Sequence, residues 1–252
     1  MEHRVGLGSL ANGLATDHRL WNLQIPSLAD GFRIMRYDTR GHGASSSPTA
    51  PYSLDLLVAD LVGLMNHVGI DQAHIIGLSL GGMIALGMTL DHPSRVSSVV
   101  CCDARADAPP PYVAGWKSKI TTVHQHGMAA VVDDTLARWF TESALSASAN
   151  QNIIELAKDM ILTTSIEGYC GCAAALTGLD YLGRLPTLSV PAHFIVGASD
   201  TAAPPQIMSK MAEIVPRSRL DVIDSAAHLP NLEQPAAFNT SLAQALRLNS
   251  QS

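Results

Sequence analysis

The amino-acid sequence predicts an α/β fold, a mostly parallel sheet flanked by helices with a helical segment inserted late in the chain. Short apolar runs alternate with amphipathic helical patterns along much of its 252 residues, and such alternation is typical of parallel sheets. A glycine-serine-glycine motif at residues 77–81 joins one apolar run directly to a helical pattern. The length and the 47% hydrophobic content fit one compact core, so we predict a single domain over residues 1–252.

The predicted elements follow from apolar periodicity. Six short apolar runs predict strands at residues 5–10, 32–37, 73–78, 96–101, 193–196 and 220–223. Between the second and third runs, apolar residues recur every three or four positions from Leu54 to Val68, which predicts a helix lying on the sheet. The last two runs flank a further helical pattern at residues 206–215.

The strand-helix rhythm stops after the strand that ends near Cys102. Residues 104–188 carry helical patterns, including 128–140 and 153–165, and no strand pattern. A segment of this length between two strands of the same sheet is best explained as an insertion into the domain. We therefore predict that residues 104–188 form a helical lid.

The serine motif is the strongest chemical signal in the chain. Gly77-Leu78-Ser79-Leu80-Gly81 lies between a predicted strand and a predicted helix, which is the context of a nucleophile elbow. A Cβ at Gly77 or Gly81 should strike the adjoining strand or helix, so both positions require glycine. Ser79 is thus the predicted nucleophile, and the backbone N–H of Leu80 is free to bind an oxyanion.

A serine hydroxyl needs a base, and the base needs a carboxylate to orient it. Asp200 and His228 each follow a predicted strand, in the order acid and then histidine, and that is the order expected after an elbow serine. We predict Ser79, Asp200 and His228 as a catalytic triad. Two alternatives stay open: Asp200 could cap the helix that begins near Pro205, and Asp103, after the strand ending near Cys102, is a second candidate acid.

Composition limits the partners. The formal charge of -6 and the absence of a basic cluster argue against nucleic acid and anionic membranes. No apolar run approaches the roughly 18 residues of a membrane span, and the N-terminus lacks the apolar stretch of a signal peptide, so we expect a cytoplasmic protein. His124 and His126 form an H-x-H pair without a cluster of further ligands, and we predict neither a metal nor an organic cofactor.

Several segments carry a resemblance to a known family. The elbow, residues 37–45 and residues 228–233 resemble the α/β-hydrolase superfamily. More narrowly, the chain is similar to the 3-oxoadipate enol-lactonases of the β-ketoadipate pathway, and the supporting pieces are residues 13–17 with Trp21, residues 51–53, residues 138–141 and residues 167–169. Together these pieces span nearly the whole chain from about Gly13.

The resemblance implies an α/β-hydrolase fold and a serine hydrolase that opens 3-oxoadipate enol-lactone through an acyl-enzyme. It also implies an oxyanion hole made by the backbone N–H groups of Leu14 and Leu80. The substrate carries a carboxylate away from the reacting carbonyl, and Arg138, beside Trp139 in the predicted lid, is the candidate to bind it. Alternatively, Arg138 forms an exposed salt bridge within the lid.

Other expectations remain beside this one. The same triad would serve a carboxylesterase, a thioesterase or an acyl-homoserine lactonase, and a ligand-binding homologue without catalysis is a further alternative. Relatives usually carry two more strands before the loop that holds Leu14, whereas this sequence has one predicted strand there. The strand at residues 32–37 is therefore predicted to have an open edge, and this edge predicts either a homo-oligomer or a less stable chain.

Overall fold

The computed structural model describes residues 6–29 and 31–248, and its centre is a six-stranded sheet. The strands are β1 (Gly6–Ala11), β2 (Phe32–Arg36), β3 (Ala73–Leu78), β4 (Val96–Cys102), β5 (Ala192–Gly197) and β6 (Ser218–Ile223). Their order is β2-β1-β3-β4-β5-β6, and each neighbouring pair is parallel. The predicted α/β class is confirmed, although Val5, the predicted first residue of β1, lies outside the described residues.

Helices connect and cover the strands. They are α1 (Ile25–Leu28), α2 (Leu54–His67), α3 (Leu80–Asp91), α4 (Pro110–His126), α5 (Val132–Trp139), α6 (Glu142–Ser146), α7 (Gln151–Thr163), α8 (Ile166–Thr177), α9 (Pro205–Ile214), α10 (Pro230–Glu233) and α11 (Pro235–Leu248). The predicted amphipathic stripe is α2, which Ser53 caps by accepting a hydrogen bond from the Leu56 N–H. None of the helices in the described part of the chain has both the length and the apolar character to cross a bilayer.

One predicted helix is divided in two. The pattern at residues 128–140 consists of a 3₁₀ turn, Met128–Val131, followed by α5. Val131 has φ −113° and ψ 0°, outside the α-helical region, so the two segments do not form one continuous helix. The C-terminal residues of α5, Arg138 and Trp139, line the cavity of the candidate site described below.

The order of the strands brings distant parts of the chain together. β3 and β5 are buried along their whole length, as expected for central strands covered on both faces. Both are neighbours of β4, and β6 lies directly beside β5. Because all the strands are parallel, the loops that follow β3, β4, β5 and β6 emerge at one edge of the sheet.

Residues 104–188 lie between β4 and β5 and contain helices α4 to α8. The structure describes this whole helical insertion, and its sole β-type pairing is an isolated bridge between Asp107 and Asp180 at its base. The insertion contacts the rest of the chain through Gly168, which packs so closely on Gly41 that a Cβ on either glycine would overlap the other backbone. The Ser165 hydroxyl donates to the Gly41 carbonyl at 2.9 Å. The predicted role of the insertion as a lid remains a prediction.

β2 is an edge strand within the described residues, since β1 is its single partner there. The open edge leaves backbone donors and acceptors available to another chain. We expect self-association that rises with protein concentration, measured by size-exclusion chromatography with light scattering. A chain that stays monomeric at every concentration and is stable to heat would contradict this expectation.

Candidate active site

The turn between β3 and α3 has the geometry expected of an elbow. Ser79 has φ 57° and ψ −116°, a left-handed conformation that costs a non-glycine residue about 1 to 3 kcal/mol. A Cβ at Gly77 would overlap the Gly81 carbonyl, and a Cβ at Gly81 would overlap the Ala11 carbonyl. The steric expectation for both glycines is therefore confirmed. The Ser79 N–H donates to the Cys102 carbonyl at 2.8 Å, which ties the turn to β4.

Ser79, His228 and Asp200 lie in one line of hydrogen bonds. His228 Nε2 lies 2.9 Å from Ser79 Oγ, and His228 Nδ1 lies 2.9 Å from Asp200 Oδ2. A carboxylate only accepts hydrogen bonds, so Nδ1 carries the proton and Nε2 is left to accept from the serine hydroxyl. The structure thus brings the three predicted residues together, from the ends of β3, β5 and β6.

The surroundings of Asp200 keep it ionised. Burial by itself would raise the pKa of Asp200, but the attraction and hydrogen bond of His228 and the backbone N–H groups of Ala202 and Ala203 bring this pKa below its usual value. The Ala202 N–H donates to Asp200 Oδ1 at 2.7 Å. Helix α9 begins after Pro204 without a side-chain cap, so capping that helix is not the role of Asp200.

Asp103, the alternative acid, lies close to Asp200 and His228 but is not hydrogen-bonded to the imidazole. Its side chain is fully buried, and its Oδ1 accepts the Gly197 N–H at 2.8 Å. Carboxylate and imidazole atoms of Asp103, Asp200 and His228 lie within 4.8 Å of one another, but the hydrogen bond of His228 Nδ1 goes to Asp200. Burial and the nearby charge of Asp200 raise the pKa of Asp103 well above its usual range, which favours the protonated form of this acid.

The loop after β1 carries the second predicted oxyanion donor. Leu14 lines the same cavity as Ser79 and His228. His42 fixes this loop, because its Nε2 accepts the Ala15 N–H at 3.0 Å and its Nδ1 lies 3.1 Å from the Arg40 carbonyl. Burial lowers the pKa of His42, which keeps the ring neutral and able to accept. Leu80 begins α3, where a backbone N–H has no acceptor within the helix.

A cavity of about 390 Å³ extends from Ser79 and His228 to the helical insertion. Its apolar wall is rich in aromatic rings, namely Tyr112, Trp116, Trp139 and Tyr169. Its cationic side chains are Arg105, Lys119 and Arg138. Among the described residues that line it, Asp103 is the one acid. A concave, mainly apolar space with a few polar groups is typical of a site for a small molecule.

Arg138 lines this cavity and also takes part in an ion pair. Its Nε lies 3.5 Å from Asp134, whose side chain is 61% exposed. Lys119 forms a very short hydrogen bond to the same Asp134 carboxylate. The Asp134 carboxylate is therefore paired with two cations, and the three side chains together carry one positive charge. The position of Arg138 on the cavity wall agrees with a role in binding an anion, and its ion pair with Asp134 agrees with the alternative of a salt bridge.

Arg105 is a third cation in the wall, and it is neutralised locally. Its Nε and Nη2 donate to Asp107, at 2.9 Å to the carbonyl and 2.9 Å to the carboxylate. Its guanidinium lies over the Tyr112 ring, 4.6 Å from the ring centroid. The excess charge of the wall is consequently on the side of Arg138 and Lys119.

The sequence matches the family model of the alpha/beta hydrolase fold over residues 10–235. The chain belongs to this family. The α/β hydrolase is 32% identical to 3-oxoadipate enol-lactonase 2 of Acinetobacter baylyi, over 91% of this chain and 84% of that protein.

Two solved structures resemble this α/β hydrolase over nearly its full length. The enol-lactonase from Burkholderia xenovorans LB400 is 31% identical with a TM-score of 0.92, covering 98% of this chain and 94% of that one. A thermophilic esterase from Thermogutta terrifontis, with malate bound, is 30% identical with a TM-score of 0.92, covering 97% and 90%. The family match and these relatives identify the protein as a hydrolase of this fold.

Two clusters of side chains in the described part of the hydrolase have the spacing of metal ligands. They are Asp17 with His18 and Asp38, and Asp103 with Asp200 and His228. Asp17 is already paired with Arg19 at 2.7 Å, and Asp38 accepts from His18 at 2.9 Å. In the second cluster, Asp200 and His228 hydrogen-bond each other and Asp103 Oδ1 accepts the Gly197 N–H. The prediction that the hydrolase needs no cofactor remains a prediction.

The sequence did not predict several charged and polar residues that contact the residues of the candidate site. Lys119 and Arg105 follow no motif, and nothing in the sequence places them on the cavity wall. The pair of Asp134 and Arg138 had a signal, because residues four apart on a helix are neighbours. The contact of His42 with the Leu14 loop spans 27 positions and depends on the fold.

Proposed function

We propose that the protein is a serine hydrolase that opens a small anionic lactone, 3-oxoadipate enol-lactone, to 3-oxoadipate through an acyl-enzyme. The observation that carries the proposal is the hydrogen-bonded series of Ser79, His228 and Asp200 at a cavity that Arg138 also lines. The similar protein of Acinetobacter baylyi is named as an enzyme of this reaction. The enol-lactonase of Burkholderia xenovorans has the same fold over nearly the full chain.

The first half of the reaction forms the acyl-enzyme. The Ser79 hydroxyl attacks the lactone carbonyl while His228 Nε2 takes its proton, and the ionised Asp200 stabilises the imidazolium that results. The N–H groups of Leu80 and Leu14 receive the negative charge that develops on the carbonyl oxygen, and one such donor contributes about 3 to 4 kcal/mol. The ring C–O bond then breaks, and the imidazolium protonates the enol oxygen.

The second half releases the product. The leaving enol stays tethered to the acyl group, so it can attack the ester and close the ring again. Conversion of the enol to the ketone and the entry of water both oppose that reversal. Water attacks the ester as His228 takes its proton, the ester bond breaks, and Ser79 Oγ recovers a proton. We propose that the helical insertion over residues 104–188 acts as the lid that controls water and product.

The size and charge of the cavity support a small monoanion. A volume of about 390 Å³ is at the lower end of the range of ligand sites. Lys119 and Arg138 share the Asp134 carboxylate, so these three side chains together carry one positive charge. With its carboxylate bound at Arg138, the substrate would point its lactone ring toward Ser79. Such an orientation holds the reacting carbonyl in place before the attack.

The direct test is turnover of a lactone panel. The panel contains enol-lactone made from muconolactone, a neutral lactone of the same ring size and an uncharged aryl ester. We expect the highest kcat/KM for the anionic enol-lactone. Equal or higher kcat/KM for the neutral compounds would overturn the substrate assignment. If the protein hydrolyses none of the compounds in the panel, the proposed hydrolase mechanism is wrong.

The second candidate function is that of a carboxylesterase. It is favoured by the thermophilic esterase from Thermogutta terrifontis, which is as similar in fold as the enol-lactonase and was solved with malate bound. The triad and the cavity would serve this reaction too, and the same would hold for a thioesterase or an acyl-homoserine lactonase. A preference for open-chain esters over the enol-lactone in the panel would favour this candidate.

Arg138→Ala tests the proposed carboxylate site. We expect KM for an anionic lactone to rise about ten- to a hundredfold, with little change for a neutral ester, because a guanidinium binds a carboxylate through two charge-assisted hydrogen bonds. Steady-state kinetics on both substrates measures the difference. Arg184→Ala, which removes another ion pair, with Asp91, is the matched control. Equal losses on the two substrates would mean that Arg138 shapes the insertion instead.

A further inference from the structure

The carboxylate of Glu233 joins two parts of the candidate site that are far apart in the sequence. Its Oε2 accepts the Ala227 N–H at 2.9 Å, directly before His228. Its Oε1 accepts the Thr141 N–H at 3.1 Å and forms a very short hydrogen bond with the Thr141 hydroxyl. Thr141 follows α5, the helix that carries Arg138 and Trp139 to the cavity.

A second connection runs between the same two segments. The Leu229 N–H donates to the Trp139 carbonyl at 3.1 Å. Of the two residues that flank His228, Ala227 therefore donates to the Glu233 carboxylate and Leu229 donates to the Trp139 carbonyl. Ala227, Leu229 and Trp139 are each buried, so water does not compete freely for the hydrogen bond between Leu229 and Trp139.

The helix that carries Glu233 is fixed on its other side. Asn231, in the middle of α10, donates to the Leu20 carbonyl at 2.8 Å. Gln24 donates to the Asn231 carbonyl at 2.9 Å, and both side chains are fully buried. Glu233 thus extends from a helix that is hydrogen-bonded to buried side chains, while its partners lie in the loop of His228 and at Thr141, the N-cap of α6.

The chemistry of the side chain suits this task. A carboxylate offers about four lone-pair positions and no donor, so it can accept from Ala227 and from both groups of Thr141 at once. Glutamine has nearly the same shape, but its NH₂ group would face either the Ala227 N–H or the Thr141 N–H. Glu233→Gln therefore removes one side of the connection without removing bulk.

We propose that Glu233 is a positioning residue that couples the helical insertion to the base. It holds His228 within reach of Ser79 through Ala227, and it holds the wall of Arg138 and Trp139 through Thr141. Anion binding at the wall and the orientation of His228 are then linked through one side chain. The inference rests on the proposed function, since it assigns a task to the same site.

The test compares Glu233→Gln with the wild type in three measurements. These are the rate of covalent modification by an uncharged fluorophosphonate, KM and kcat for the anionic enol-lactone, and the Tm. We expect the modification rate to fall about ten- to a hundredfold, the loss typical of a small misplacement of a reacting group. We also expect a several-fold rise in KM, because the wall that holds Arg138 loosens.

Control variants separate this role from a general loss of structure. Glu213→Gln, on α9, removes a carboxylate that bonds Ser209 at 3.0 Å outside the cavity, and it should leave all three measurements unchanged. Thr141→Ser keeps the hydroxyl that bonds Glu233, so its modification rate should fall much less than that of Thr141→Val.

The outcomes differ for each explanation. A modification rate equal to that of the wild type in Glu233→Gln would overturn the proposal, as would a rise in KM alone or a drop in Tm alone. If the wild type itself fails to react with the probe, the proposed function is at fault. The proton NMR signal of His228 Nδ1–H then still tests the coupling: it should shift or broaden in Glu233→Gln, and an unchanged signal would overturn it.

Discussion

Ser79→Ala should lower kcat for every ester or lactone that the protein hydrolyses by at least about a thousandfold. The hydroxyl is the group that His228 Nε2 contacts at 2.9 Å, and no other hydroxyl in the described part of the chain bonds that nitrogen. Alanine keeps the Cβ in the same left-handed turn, so Tm should change little. Steady-state kinetics and thermal unfolding measure the two quantities.

His228→Ala should cause a similar loss, because a nucleophile and its base act as a unit. Ser209→Ala removes a hydroxyl on α9 that bonds Glu213 and serves as the matched control. Turnover by Ser79→Ala at a rate near that of the wild type would mean that the reaction does not proceed through this serine.

Asp200→Asn should lower kcat by about two to four orders of magnitude, since an amide stabilises the wrong imidazole tautomer. The structure supplies a matched comparison, because Asp103 is a second buried acid within 4.8 Å of the same groups. Asp103→Asn should retain most of kcat. Its raised pKa favours the neutral form, and asparagine can keep the contact with the Gly197 N–H. A larger loss in Asp103→Asn than in Asp200→Asn would show that the acid had been wrongly assigned.

Asp103 also predicts how the stability of the protein changes with pH. In the folded chain, burial and the charge of Asp200 raise the pKa of Asp103 well above its usual range. The unfolded chain releases this proton above a pKa of about 3.9, so the free energy of unfolding falls as pH rises through this region. An asparagine at this position has no proton to release and carries no such cost. Asp103→Asn should therefore have a higher Tm than the wild type at neutral pH, and the difference should shrink as pH falls toward 4.

Local sequence patterns predicted the fold and the central residues of the site for a physical reason. The elbow is encoded within five consecutive residues, whose glycines meet backbone on both sides. Asp200 and His228 follow the ends of strands, and parallel strands bring their ends to one edge of the sheet. These features depend on local sequence and on the rule that parallel strands end at the same edge of the sheet.

What the sequence could not predict depends on contacts between distant segments. Glu233 and Thr141 are separated by 92 positions, and neither shows a pattern that refers to the other. The division of the predicted helix at residues 128–140 was also missed, because its apolar periodicity continues through Val131, whose backbone is not α-helical. The shared use of Asp134 by Lys119 and Arg138 requires a side chain of α4 to reach a carboxylate on α5.

The contact between Gly41 and Gly168 restricts how this hydrolase can change during evolution. It joins two backbones without any side chain between them, so a mutation to alanine at either position would force the insertion away from the sheet. The lining residues on α4 and α5 instead face the cavity with side chains such as Trp116 and Arg138. Variation among these side chains is expected to alter which acyl compounds are accepted, while the contact between Gly41 and Gly168 stays the same.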